Sequence, residues 1–134
     1  LEWKENHAHI ELGLGSIGRG YFEVGIQAEN YRFGAKTGLN FTIDQQGVFR
    51  PKVYGQIPLW RRSKFPILSL GAAGYIATNP RSANGFEPYF GWRLPRRGWE
   101  RLQMTTGLYF ESSQTAEGDK RKNNVFAVGL KCRL

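Results

Sequence analysis

Phe33-Gly34-Ala35-Lys36-Thr37-Gly38-Leu39-Asn40-Phe41-Thr42-Ile43 is the stretch whose reading decides the fold. One parity runs Phe33, Ala35, Thr37, Leu39, Phe41, Ile43; the other runs Gly34, Lys36, Gly38, Asn40, Thr42. Alternation sustained over the whole stretch is the period of a strand with one apolar and one polar face. The polar face mixes glycine with a charge and amides. Repeated along a chain, that contrast predicts a closed barrel whose apolar outside meets lipid and whose polar residues fill the inside.

Composition narrows the reading further. The chain has 134 residues, enough for one domain, 1–134. It is 40% hydrophobic with a mean hydropathy of −0.48. No run approaches the roughly 18 apolar residues of a spanning helix, and the longest apolar patch, Ile67 to Ile76, is interrupted by Ser69, Gly71 and Gly74. Half-apolar barrel strands fit such a hydropathy. The formal net charge of +8 permits nucleic-acid binding, but the bases are scattered through turns and strands with no basic helix or binding motif. No nucleic-acid partner is expected. The single cysteine, Cys132, leaves no intrachain disulfide and no multi-cysteine metal site; on its parity it reads as a small lipid-facing hydrophobe. Leu1-Glu2-Trp3-Lys4 is already polar and reads as the start of a processed or trimmed chain.

The same alternation marks eight segments, at about 8–17, 22–28, 33–43, 48–59, 66–77, 86–94, 100–111 and 124–134, and no helix. Pro51 and Pro58 predict local distortion or strand ends in the fourth segment. Ser112 to Asn123 reads as the longest and most polar loop. The fold class that follows is all-β, an eight-stranded antiparallel up-and-down transmembrane barrel. Segments of this length match the roughly 9–11 residues a tilted strand needs to cross a bilayer. Linkers near 30, 62 and 97 are tight, whereas those near 19, 46, 82 and 118 include the two longest. Outer-membrane barrels keep their short turns in the periplasm, so the termini are expected there. That orientation gathers Trp3, Trp60, Trp92 and Trp99 into one aromatic girdle, with Phe22, Phe41, Phe86 and Phe110 towards the opposite interface.

A soluble eight-stranded barrel of lipocalin type is the competing fold, with the apolar parity turned inward around a ligand. Against it, Gly13, Gly25, Gly34, Gly38, Gly91, Gly107 and Gly129 mostly share the polar parity. An exposed face has little use for them, whereas a crowded lumen does.

The last residues, Gly129-Leu130-Lys131-Cys132-Arg133-Leu134, carry a glycine followed by alternating hydrophobic positions to the end. This ending resembles the C-terminal assembly signal of small bacterial outer-membrane β-barrel domain proteins, with Cys132 and Leu134 standing where an aromatic is usual. The resemblance implies export by a signal peptide and insertion by the outer-membrane barrel assembly machinery. It implies no activity.

Three groups of residues are candidates for a role. The first is a lumen charge network of Glu11, Glu23, Glu87 and Glu111 with Lys36, Arg50, Lys52, Arg93, Arg101 and Lys131. Eight strands leave an interior just wide enough for side chains to fill, and buried charges must pair; Glu23 with Lys36 and Glu11 with Lys131 are expected partners. The second is a basic rim of Arg32, Arg61, Arg62, Lys64, Arg96 and Arg97 at the periplasmic end, suited to lipid phosphates or an acidic envelope subunit. The third is the outer loop with Lys120, Arg121 and Lys122, within reach of lipopolysaccharide phosphates or a neighbouring surface protein. His7 and His9 read as solvated or lumen-lining residues rather than metal ligands, and no cofactor is expected. Both lie at the periplasmic end, and Ser69, Ser112 and Ser113 have no histidine in reach, so no catalytic residue is assigned. The expectation is a non-catalytic structural or accessory subunit of a cell-envelope complex. The alternatives are a lipid A-modifying enzyme of the outer membrane and a secreted carrier of an apolar ligand.

Overall fold

The structure is a computed structural model, which describes residues 6–30, 34–62, 65–78, 83–94, 96, 98–99, 101–114 and 120–134. Eight strands form one closed barrel in sequence order: β1 (Asn6–Ile17), β2 (Gly20–Asn30), β3 (Lys36–Asp44), β4 (Phe49–Arg62), β5 (Phe65–Tyr75), β6 (Asn84–Trp92), β7 (Leu102–Gln114) and β8 (Lys120–Arg133). Every neighbouring pair is antiparallel, and β1 closes on β8 with Leu14 opposite Leu130. Over the length where all eight strands pair, closure leaves no open sheet edge of the kind that invites aggregation. No helix occurs among the described residues.

The period-2 pattern dictates the radial order. Along β2, Tyr21, Glu23, Gln27 and Glu29 are buried while Phe22, Val24, Ile26 and Ala28 are exposed. In β4 the buried set is Arg50, Lys52, Tyr54 and Gln56, as its parity predicts. The polarity of an ordinary soluble protein is reversed: charges lie inside, and Ile26, Leu14 and Phe126 are 61, 57 and 68% exposed on the wall. Tyrosine and phenylalanine are sorted by the same rule. Tyr21, Tyr54, Tyr75, Tyr89 and Tyr109 are buried in the lumen, and Phe22, Phe41, Phe49, Phe86, Phe90, Phe110 and Phe126 face out. A phenol hydroxyl finds partners inside, which a position on the apolar outer wall denies it.

Glycine makes the lumen fit. A Cβ on Gly38 would meet the Tyr54 ring, and one on Gly71 would meet the Tyr89 ring, each pair being opposed in the register. A large side chain on one strand thus lies over the bare backbone of the next.

Several segment ends differ from expectation. β3 begins at Lys36 rather than residue 33, because Gly34 adopts a left-handed φ of 74° and its amide donates to Asn30 O at 2.7 Å. The loop expected from Ser112 to Asn123 is largely strand: β7 continues to Gln114 and β8 starts at Lys120, opposite it. Lys120, Arg121 and Lys122 are therefore backbone of a hairpin rather than of a loop, which corrects their assignment. In β4, Pro58 stands at a register shift that continues to Trp60 and Arg61, the distortion its missing N–H predicts, whereas Pro51 pairs with Phe41 in unbroken register and neither distorts nor ends the strand.

Candidate functional site

The barrel has a turn end, where β2–β3, β4–β5 and β6–β7 are joined and the chain terminates, and an opposite loop end. Between them the inward parity of all eight strands builds a polar column. Near the turn end, Glu29 accepts from Arg93 at 2.9 Å and from Arg133 at 3.2 Å. Gln56, Gln103 and Tyr89 form the next contacts, with Gln103 Nε2 and the Tyr89 hydroxyl each donating to Gln56 Oε1 at 2.9 Å.

The centre is the most highly charged part. Asn40 Nδ2 donates to Glu11 Oε1 and to Glu23 Oε2, both at 2.7 Å, and so holds two carboxylates together. Tyr54 also donates to Glu11. Lys36 stands 3.3 Å from Glu11, and Lys52 stands 3.4 Å from Glu23. Two carboxylates that share a donor require this neutralisation, because buried charge without a partner is costly. Lys131 differs. Its ammonium lies 3.6 Å from the centre of the Tyr54 ring and has no hydrogen-bond partner among the described residues. The ring face supplies a cation–π contact instead.

Towards the loop end, Tyr75 donates to Glu87 at 2.7 Å. Arg50 lies over the Tyr75 ring at 4.7 Å, donates to the Tyr109 hydroxyl at 2.6 Å and reaches Ala83 O at 2.9 Å. Glu111 is the hinge of this layer, accepting from Tyr109 at 2.8 Å and from Arg19 at 3.2 Å. Arg19, in the turn between β1 and β2, also binds Asp44 at 2.8 Å. Burial alone lowers the Arg19 guanidinium, but Glu111 and then Asp44 hold it above its ordinary range.

Nine of the ten residues expected in the lumen network are on its inner wall, with Glu111 half-buried at its upper edge. Arg101 is not: it sits exposed in the turn before β7, because that strand starts at Leu102. The expected pairs are also exchanged. Glu11 takes Lys36 and Glu23 takes Lys52, leaving Lys131 on the ring, since β3 and β4 bring those ammonium groups to the two carboxylates that share Asn40. Sequence reasoning left out Glu29, Arg133, Arg19, Asn40, Gln56, Gln103 and the five tyrosines. For Glu29 the signal is present, because it continues the parity of Glu23 and Gln27 one residue beyond the expected end of the segment. Arg19 gave no such signal, since its role depends on which turns meet.

At the turn end, Trp60, Trp92 and Trp99 are exposed, and Trp60 and Trp92 both register on Leu68. Arg96 is exposed and Arg61 half-buried at the same end. Trp3, Arg32, Lys64 and Arg97 lie outside the described residues, as do the side chains of His7, Arg62, Lys120, Arg121 and Lys122. His9 is half-buried in β1, and no cluster of metal-binding residues occurs among the described residues. Comparison with protein-family models, with curated proteins and with solved structures found no match.

Proposed function

We propose that this chain is a membrane-spanning barrel of the bacterial outer membrane with a closed lumen, acting as a structural or accessory anchor of the cell envelope. One observation carries the reading: the wall is apolar and the interior charged. A continuous outer surface of leucine, isoleucine, valine and phenylalanine far exceeds the few hundred Å² of apolar patch usual on a soluble monomer. Strands of nine to fourteen residues are long enough to cross a bilayer. The tryptophans at the turn end match an interfacial girdle. Lipid and lipopolysaccharide are then its surroundings, and the assembly machinery its route of insertion. The basic turn end, with Arg61, Arg62 and Arg96, serves docking to lipid phosphates or an acidic envelope subunit.

A carrier of an apolar ligand needs the opposite parity inside, and the buried residues here are Glu, Lys, Arg, Gln and Tyr. For an enzyme acting on lipid A the histidines are at the wrong end, since His9 lies near the turn end of β1.

The test is refolding from denaturant with and without detergent micelles, followed by electrophoresis of heated and unheated samples. The expected species is β-rich, requires detergent and changes mobility on heating. A stable monomer in plain buffer would overturn the reading.

A further inference from the structure

The rim of the barrel is uneven at the loop end. β8 pairs with β1 only as far as Ala127 opposite Ile17, whereas it pairs with β7 up to Lys120 opposite Gln114. From Lys120 to Asn124 one edge of β8 has no strand beside it among the described residues, and at Val125 the β1–β2 turn with Gly18 comes against it. At about 3.4 Å per residue this edge is roughly 14 Å long. Beside it lies a recess of about 320 Å³ between the β1–β2 turn, with Gly18 and Arg19, and the β8 residues Asn124 and Val125; Tyr109 and Glu111 form its floor.

We propose that this edge accepts an extended acidic segment of a partner protein as an added strand. Backbone groups along an unpaired edge are the affinity element of strand addition, and alternate side chains give the selectivity. Charge decides which segment fits. The sequence along this edge is Lys120-Arg121-Lys122, and like charge disfavours pairing with a second copy of the same edge, a usual protection against self-association. A segment with Asp or Glu at alternate positions turns that repulsion into attraction. Arg19 is already taken by Asp44 and Glu111, so the steering charge is that of the hairpin. The proposal gives the anchor its partner at the loop end and rests on the anchor reading only for which side of the membrane that is.

The probe is a synthetic octapeptide of alternating Glu and Val, added to the detergent-refolded full chain. Its control has proline at alternate positions with the acidic residues kept. The expected result is saturable binding, at least tenfold weaker for the proline peptide, with amide exchange slowed at least tenfold at alternate residues between Lys120 and Asn124. Lys120→Glu, Arg121→Glu and Lys122→Glu together are expected to weaken binding at least tenfold while the heat shift on gels is kept. A second variant, Asn124→Pro, distorts the edge without touching its charge and is expected to weaken binding as well. Equal binding of the two peptides with unchanged amide exchange would overturn the proposal in favour of a purely electrostatic surface, as for lipopolysaccharide phosphates. No saturable binding would overturn it outright. Both outcomes are separate from the gel shift, which reports whether the barrel needs a membrane.

Discussion

At the scale of single residues, the lumen makes charge stand where hydrophobic side chains stand in most cores. Its cost depends on whether each charge is answered. Glu11 is answered by Lys36, Asn40 and Tyr54, so replacing it leaves Lys36 without its carboxylate. Lys131 stands over the Tyr54 ring and farther from the Tyr89 ring, with no hydrogen bond among the described residues, and the pairs Glu11–Lys36 and Glu23–Lys52 survive without it. Breaking a buried pair from one side typically costs about 3 kcal/mol or more, whereas replacing an unanswered charge by an apolar isostere is often neutral or stabilising. Glu11→Gln is therefore expected to lower stability by roughly 3 kcal/mol, and Lys131→Met to leave it unchanged or raise it. Urea unfolding from lipid vesicles measures both. Comparable losses for the two variants would show that the Tyr54 ring is a full partner for Lys131. Parity made these charges legible from sequence, since the buried set in β4 is the one alternation names. Pairing was not legible, because Glu11 and Lys36 belong to strands that are not neighbours and meet across the lumen.

At the scale of strands, the fit between a tyrosine and the glycine beside it sets how closely two strands can share the lumen. Gly71 on β5 is opposed to Tyr89 on β6, whose ring occupies the space a Cβ would need. Gly74, also on β5, faces the outer side, where a Cβ would meet nothing within 4 Å. Neither has a left-handed φ, so backbone conformation does not separate them. Gly71→Ala must push the ring of Tyr89 off its place and is expected to cost about 1–3 kcal/mol, the usual range for overpacking. Gly74→Ala fills open space on the wall and is expected to be neutral or to stabilise by about 0.5–1 kcal/mol, the entropic cost of glycine in a strand interior. Unfolding midpoints of the two variants decide it, and an equal effect would mean that the tyrosines yield easily. The glycines of the polar parity predicted a crowded interior. Which side chain covers each of them depends on the register, which no single segment encodes; the misplaced ends of β3 and β7 show the same gap, since left-handed Gly34 and the β7–β8 pairing beyond residue 111 are properties of two segments together.

At the scale of the whole molecule, the question is whether an eight-stranded cylinder with this filling passes ions. Its interior is crossed at several levels by side chains bonded to strands that are not their neighbours. Arg93 and Arg133 meet at Glu29, Tyr54 reaches Glu11, and Arg50 spans to Tyr109. An ion entering this column would have to break charge-assisted hydrogen bonds that water does not replace, so the intact barrel is expected to give no conductance steps in planar bilayers. The block is predicted to depend on few residues. Tyr54 and Tyr89 lie over Gly38 and Gly71, so their strand partners offer no side chain to refill the space they leave. Tyr54→Ala combined with Tyr89→Ala is therefore expected to open a narrow path, and the removal also frees Lys131 from the ring that holds it. The buried bases Lys36, Arg50, Lys52, Arg93 and Lys131 outnumber the buried carboxylates Glu11, Glu23, Glu29 and Glu87, so this path should favour chloride over potassium in reversal-potential measurements. Conductance in the unmodified protein would show that the network opens on its own and would replace the anchor by a channel. A silent double variant that still shifts on heating would mean that the charges, rather than the rings, close the lumen.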